Sequence, residues 1–248
     1  MYKQILSLMK KILVPTTLQP DTIAAIHSAV SQSNVHECEI ILLFVSEAPD
    51  TYSASQFLRE MNVGHTANQE EILDKCKSII NQTPNCKIKI HNQCGLSSFI
   101  FKGIVDLYDV NLIVFPNSYK QESRKINQYL LQLATNQKCP ILHLGQEQKD
   151  INYSKALYVK NNQDTIGLET IQHFLNKYFP LEIVSQTTNT TENQDDVLRY
   201  INEAISKHDI DMLVQTRTVQ KIKFKKTKRE DLHEKVGLPV LSLYEELV

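Results

Sequence analysis

The densest group of chemically active side chains is Lys221-Ile222-Lys223-Phe224-Lys225-Lys226-Thr227-Lys228-Arg229, six cations in nine residues. Lysine holds an anion as a point charge, so Lys223, Lys225, Lys226, Lys228 and Arg229 are anion-binding candidates for an acidic partner, a phosphorylated ligand or RNA. Glu230, Asp231 and Glu234 follow at helical spacings and could neutralise the run as a solvated face, which is the plainer reading. Bases need aromatic platforms for stacking, and Phe224 is the only aromatic in the run, so nucleic acid is not the expected partner.

The other reactive residues are scattered. Cys86, His91 and Cys94 come nearest to a metal cluster, but Cys86 and His91 stand five apart on an expected strand and point to opposite faces, which argues against a metal site. The five cysteines (Cys38, Cys76, Cys86, Cys94, Cys139) form no close pairs of the zinc or redox kind and read as reduced thiols; nothing in the sequence lowers the pKa of any one of them for a sensor. His143 and Ser242 fall inside apolar strands and read as core positions. No glycine-flanked nucleophile elbow is present, so serine-triad hydrolysis is not expected. No residue is assigned a catalytic role.

The elements that must position these side chains alternate. Lys11 to Pro15, Glu39 to Val45, Cys86 to His91, Asn111 to Phe115 and Pro140 to Leu144 read as strands. Asp21 to Ser33, Asn68 to Asn81, Ser97 to Tyr108 and Ser123 to Thr135 carry helical periodicity, with Asp21 placed to cap the first helix. Ser46 to Thr66 is a polar insertion with a short helix expected at Ser55 to Met61. After the polar stretch Gln146 to Ser154 the pattern restarts. Strand Lys155 to Lys160, helix Asp164 to Tyr178, strand Leu181 to Gln186, a loop at Thr187 to Asn193, helix Asp195 to His208 and strands Asp211 to Thr216 and Leu238 to Leu243 follow. Connections of this length suit parallel crossovers and a doubly wound sheet.

The chain also repeats itself. Asp109-Val110-Asn111-Leu112-Ile113-Val114 leads to Cys139-Pro140-Ile141-Leu142, and Asp209-Ile210-Asp211-Met212-Leu213-Val214 leads to Leu238-Pro239-Val240-Leu241, at offsets of 100 and 99. Ile12 aligned with Leu157 gives an earlier offset of 145, so the second half lacks about 45 residues, one strand and one helix. Two domains are expected, 9–147 complete and 154–248 shortened. A net charge of −1 gives no general attraction to nucleic acid or to an anionic membrane. The uncharged run Gln4 to Met9 is too short for export or a membrane span, so a cytoplasmic protein is expected, with Met9-Lys10-Lys11-Ile12 resembling a natural start.

Lys11-Ile12-Leu13-Val14-Pro15-Thr16-Thr17, Ile40-Ile41-Leu42-Leu43-Phe44-Val45, Asn111-Leu112-Ile113-Val114-Phe115 and Cys139-Pro140-Ile141-Leu142, in this order and spacing, resemble the universal stress protein family across residues 10–146. Residues 155–246 resemble a shortened second copy. The resemblance implies two Rossmann-like parallel-sheet α/β domains in tandem, the second degenerate, with five parallel strands per full domain and paired domains about a pseudo-twofold axis. It also implies, for nucleotide-binding members, a glycine-rich phosphate segment after the fourth strand and an aspartate after the first. Here Thr17 replaces that aspartate, and no glycine occurs from Ile104 to Leu144 or from Leu168 to Val236. In the second copy, the basic run occupies the place of the phosphate segment.

Side chains at Phe115, Pro116, Asn117 and Ser118 would crowd a phosphate, and Pro116 has no amide proton to give. The crevice beyond the strand ends remains the default place for a small ligand, with Thr16, Thr17, Val45, Asn117 and Ser118 as its candidate lining, against the alternative of plain loop and capping residues. The expected function is stress-response binding, through small-ligand sensing or protein contact, with no cofactor and no chemistry of its own. The alternative is an ATP- or AMP-binding, weakly ATP-hydrolysing protein in which Asn117, Ser118 and Ser123 donate from side chains. A homodimer through the last strand, Leu238 to Leu243, is a further expectation from the resemblance.

Overall fold

The computed structural model describes residues 9–31, 37–48, 53–55, 58, 64–146, 153–161, 166–189, 194–218 and 236–248. The basic candidates Lys223, Lys225, Lys226, Lys228 and Arg229 lie outside them, as does most of the helix expected at Ser55 to Met61. The chain divides into two compact units, 1–133 and 134–248.

In the first unit, β1 (Lys10–Pro15), β2 (Cys38–Ser46), β3 (Cys86–Cys94) and β4 (Leu112–Phe115) form a parallel sheet in the order β3-β2-β1-β4. β1, β2 and β4 are continuous apolar runs because both faces of a parallel sheet are covered by crossover helices. These are α1 (Thr22–Ser31), α2 (Ala67–Gln82) and α3 (Ser98–Tyr108). α1 buries Ala25, Ile26 and Ala29, and α2 buries Ile72, Leu73, Cys76 and Ile80. A capping box between Thr66 and Gln69 fixes where α2 begins. β3 is the edge strand; its Lys87 and Lys89 project where an exposed edge would otherwise invite pairing, and Lys89 reaches Glu39 at 2.9 Å.

After β4, a five-residue helix α4 (Asn117–Gln121) precedes α5 (Lys125–Thr135). The sequence predicts one helix here, Ser123 to Thr135, because a five-residue helix is too short to show a period. α4 is held instead by Tyr119, which is 1 % exposed and stacks on Phe115 at 5.5 Å.

The second unit contains β5 (Ile141–His143), β6 (Lys155–Asn161), α6 (Leu168–Tyr178), β7 (Glu182–Asn189), α7 (Gln194–His208), β8 (Met212–Arg217) and β9 (Val240–Tyr244). Its strand order is β5-β9-β8-β6-β7. β6 to β9 pair in parallel, and β5 runs antiparallel to β9, so the fold is an α/β sheet that is mostly rather than wholly parallel. Val197, Ile201 and Ala204 of α7 pack with Leu157, Leu213 and Val240 as this unit's core. β9 has β8 on one side and β5 on the other, so the last strand is not the free edge on which the expected homodimer rested. A Cβ on Gly145 would fall on the backbone of Gly237, and Gly237 itself sits at φ 75°, so the close approach of the segment after β5 to the segment before β9 requires both glycines.

Arg217 ties this unit together. Its guanidinium donates to the carbonyls of Thr135 (3.1 Å), Gln137 (3.0 Å), Cys139 and Ser242, and lies 5.8 Å from the Tyr244 ring centroid. Ser242 is buried, as expected, and its hydroxyl lies 3.4 Å from the same guanidinium.

Burial pushes the thiols of Cys38 and Cys139 up to about 12 and that of Cys76 up to about 11, from an ordinary 9.0. The unfolded chain gives up these protons first as pH rises. Their stabilising contribution is therefore complete below pH 9 and is lost as pH climbs towards 11 to 12. Desolvation lowers Arg217 to about 10 and also lowers Lys10, and both act in the opposite sense to the three thiols. The free energy of urea unfolding should thus fall between pH 9 and 11, by at most about 1.4 kcal/mol per pH unit for each thiol. Cys76→Ala should flatten the slope; a flat profile in the parent protein would show that the thiols are not held neutral in the core.

Candidate functional site

The candidate crevice lies at the C-terminal ends of β1 and β4, where neighbouring strands send their crossovers in opposite directions. Ile12 pairs with Leu112 and Leu13 with Ile113, so the loops that follow β1 and β4 emerge side by side. Thr16 closes β1. It is 2 % exposed, its amide donates to Leu43 O at 3.0 Å, and its Oγ1 accepts from Leu18 N at 2.9 Å and meets Thr22 Oγ1 at 2.7 Å. These bonds hold Leu18 at φ 56°, a left-handed conformation costing about 1 kcal/mol or more for a branched residue, and its side chain is 1 % exposed. Burying a leucine is worth roughly 2 kcal/mol, enough to sustain that backbone.

Thr17 follows. Its carbonyl accepts from Gln69 Nε2 at 3.1 Å, and its Oγ1 is buried without a hydrogen-bond partner among the described residues. Val45 is buried near the end of β2, in register with Gln93 of β3 and two residues beyond the last β1–β2 pair. Asn117 and Ser118, both half-buried, open α4 behind Pro116.

The residue that joins these loops is one the sequence assigned elsewhere. Asp21 was expected to cap the first helix, but its carboxylate reaches Ser118, accepting from the amide at 2.7 Å and from Oγ at 2.6 Å. The amide and hydroxyl donors of Ser118, in the segment that follows β4, are therefore occupied by a carboxylate of the same chain. No local signal could have revealed this, since the partners are 97 residues apart. Gln69 was missed for the same reason, at a separation of 52. Behind α4, the Tyr119 hydroxyl donates to Asn127 Oδ1 at 3.2 Å, and burial raises the phenol above its ordinary pKa, so it stays neutral.

Among the described residues no group of three or more His, Cys, Asp or Glu side chains could hold a metal. His91 instead places Nδ1 2.9 Å from the Tyr108 hydroxyl. A hollow of about 730 Å³ in the second unit, bordered by Ser154, Gln172, Asn176 and Leu181, lies outside the crevice, and Gln172 there is already bonded to Ile183 N and Leu181 O. No described helix is long and apolar enough to cross a membrane.

No protein-family model matches the chain, and no curated protein matches it. Among solved structures, a universal stress protein from Archaeoglobus fulgidus DSM 4304 superposes with a TM-score of 0.57 at 10 % identity, covering 95 % of this chain and 96 % of its own. A functionally unknown protein from Pseudomonas aeruginosa PAO1 gives 0.46 at 16 % identity, with 96 % and 93 % covered. A universal stress protein in complex with cAMP gives 0.38 at 14 % identity, with 57 % of this chain and 100 % of its own covered. At this identity the likeness is one of fold: the chain has the Rossmann-like α/β fold of the universal stress proteins.

Asp21→Ala should lower stability by about 1–2 kcal/mol, since it removes a charged acceptor from two donors in a half-exposed setting. Asp21→Asn, which keeps one acceptor, should cost less. Urea unfolding of both variants checks the order, and equal stability of all three proteins would show that the carboxylate does not hold the two loops.

Proposed function

We propose that this is a tandem universal-stress-type protein that works in stress response by binding, through small-ligand sensing or protein contact, without ordinary ATP binding and without catalysis. The observation that carries the reading is the Asp21 carboxylate seated on the amide and hydroxyl of Ser118. A phosphate seeking the same donors meets a resident negative charge, and it finds no glycine between Ile104 and Leu144 to open the backbone around it. The unpartnered Thr17 Oγ1 favours a small polar ligand over an empty crevice, because a buried hydroxyl left unpaired costs about 1–3 kcal/mol.

Tandem domains at 9–147 and 154–248 are part of the proposal, and repeated local geometry supports them. Asp109 and Asp209 both adopt left-handed backbone, at φ 50° and 52°. Lys11 lies 3.6 Å from Asp109 and Lys155 3.8 Å from Asp209. The Lys11 amide donates to Asn111 Oδ1 at 3.1 Å, as the Lys155 amide does to Asp211 Oδ1 at 3.2 Å. The strand registers align Ile12 with Ala156 rather than Leu157, an offset of 144, and a shift in the β6–β7 pairing lies between those two residues. β7 forms the edge at the place where β2 of the first unit carries β3, which fits a second copy shortened by one strand. A cytoplasmic location and a partner that is neither nucleic acid nor membrane complete the proposal, with a homodimer left to light scattering.

ATP or AMP should leave the melting temperature unchanged. If ATP bound with a Kd near 10 μM, 1 mM would stabilise the native state by about 2.7 kcal/mol, or roughly 5–10 °C for a chain of this size. A shift of that order, or nucleotide absorbance released from the purified protein on denaturation, would overturn the reading in favour of a nucleotide-binding protein that uses side-chain donors.

A further inference from the structure

Two of the five cysteines are brought together by register. Cys38 opens β2 and Cys86 opens β3, and they are direct partners in the parallel ladder, 48 positions apart in sequence. Residues in register on neighbouring strands project from the same face, with their backbones about 4.8 Å apart, which lies within the 4.4–6.8 Å Cα separation that a disulfide spans. The neighbouring Cys86 thiol helps to hold the Cys38 thiol protonated. Lys10, the register partner of Cys38 on β1, extends the row, so that an amine, a buried thiol and a half-buried thiol stand side by side at the N-terminal end of the sheet. Of the other thiols, Cys76 and Cys139 are buried, and Cys94 lies about 26 Å from Cys86 along β3 at 3.3 Å per residue.

We propose that Cys38 and Cys86 form a peroxide-responsive dithiol, with Cys86 as the residue attacked first and Cys38 as its resolving partner. The assignment follows from access: Cys38 is fully buried, whereas Cys86 is reachable from solvent. The Cys86 thiolate attacks the peroxide and breaks the O–O bond, giving a sulfenic acid and releasing an alcohol, or water from hydrogen peroxide. Cys38 sulfur then attacks Cys86 sulfur and displaces hydroxide, which leaves as water with the Cys38 proton. Two thiols are oxidised by two electrons and one peroxide is reduced. Burial and the neighbouring Cys86 hold the Cys38 thiol up at about 12, with Lys10 acting against them, so Cys38 is a poor first target for peroxide. The crosslink would join central β2 to edge β3, and a thioredoxin-type dithiol could reverse it.

The test is a hydrogen peroxide titration of the full chain, followed by alkylation in denaturant and non-reducing peptide mapping by mass spectrometry. A Cys38–Cys86 linked peptide pair, lighter by two hydrogens and appearing before any sulfinic acid, is the expected result. Cys38→Ala should leave Cys86 as a sulfenic acid that a dimedone probe captures, and Cys86→Ser should leave Cys38 fully alkylatable. Sulfinic acid at Cys86 with Cys38 recovered alkylated would overturn the proposal, as would a disulfide between two copies of the chain. The map of the parent protein decides the matter even if a variant fails to fold.

Discussion

The first unit depends on one constraint: β1 is paired in parallel on both sides, with β2 and with β4. Parallel neighbours cannot be joined by tight turns, so the chain must travel through α1 to reach β2, and through two further crossovers to reach β4. The loop after β1 and the loop after β4 therefore meet at the same end of the sheet although about a hundred residues separate them. Lys11 and Asn111 lace the opposite end, exchanging a backbone bond at 3.0 Å and a backbone-to-side-chain bond at 3.1 Å.

What happens where those loops meet decides the character of the site. Thr16 gathers the loop onto itself, Leu18 is drawn into the core against its backbone preference, and Asp21 is left facing Ser118. A ligand entering with a phosphate would have to displace a carboxylate held by two short hydrogen bonds. A neutral polar ligand would meet no such competition, and Thr17 Oγ1 offers it a buried hydroxyl.

The strands were the most legible part of the chain. Ile40 to Leu43 and Leu112 to Phe115 are unbroken apolar runs because helices cover both sheet faces, and this leaves a mark in composition that needs no partner to be read. Ser97 and Tyr108 likewise bracket α3 within one residue of expectation, since capping is local and the Ser97 hydroxyl accepts from Ile100 N at 3.2 Å. Legibility failed where geometry is set by distant partners. β7 runs on to Asn189 because it pairs along the full length of β6 as far as Asn161, although Thr187, Thr188 and Asn189 read as loop.

The amino-acid order alone thus settled the α/β class, the alternation of elements and the absence of glycine after β4. Each depends on periodicity or on conformational limits that act within a few residues. Tertiary structure alone decided that β5 runs antiparallel to β9, that the Asp21 carboxylate reaches Ser118, and that Cys38 stands beside Cys86. These are choices among partners equally available to an unfolded chain, and only the register of the assembled sheet selects one of them.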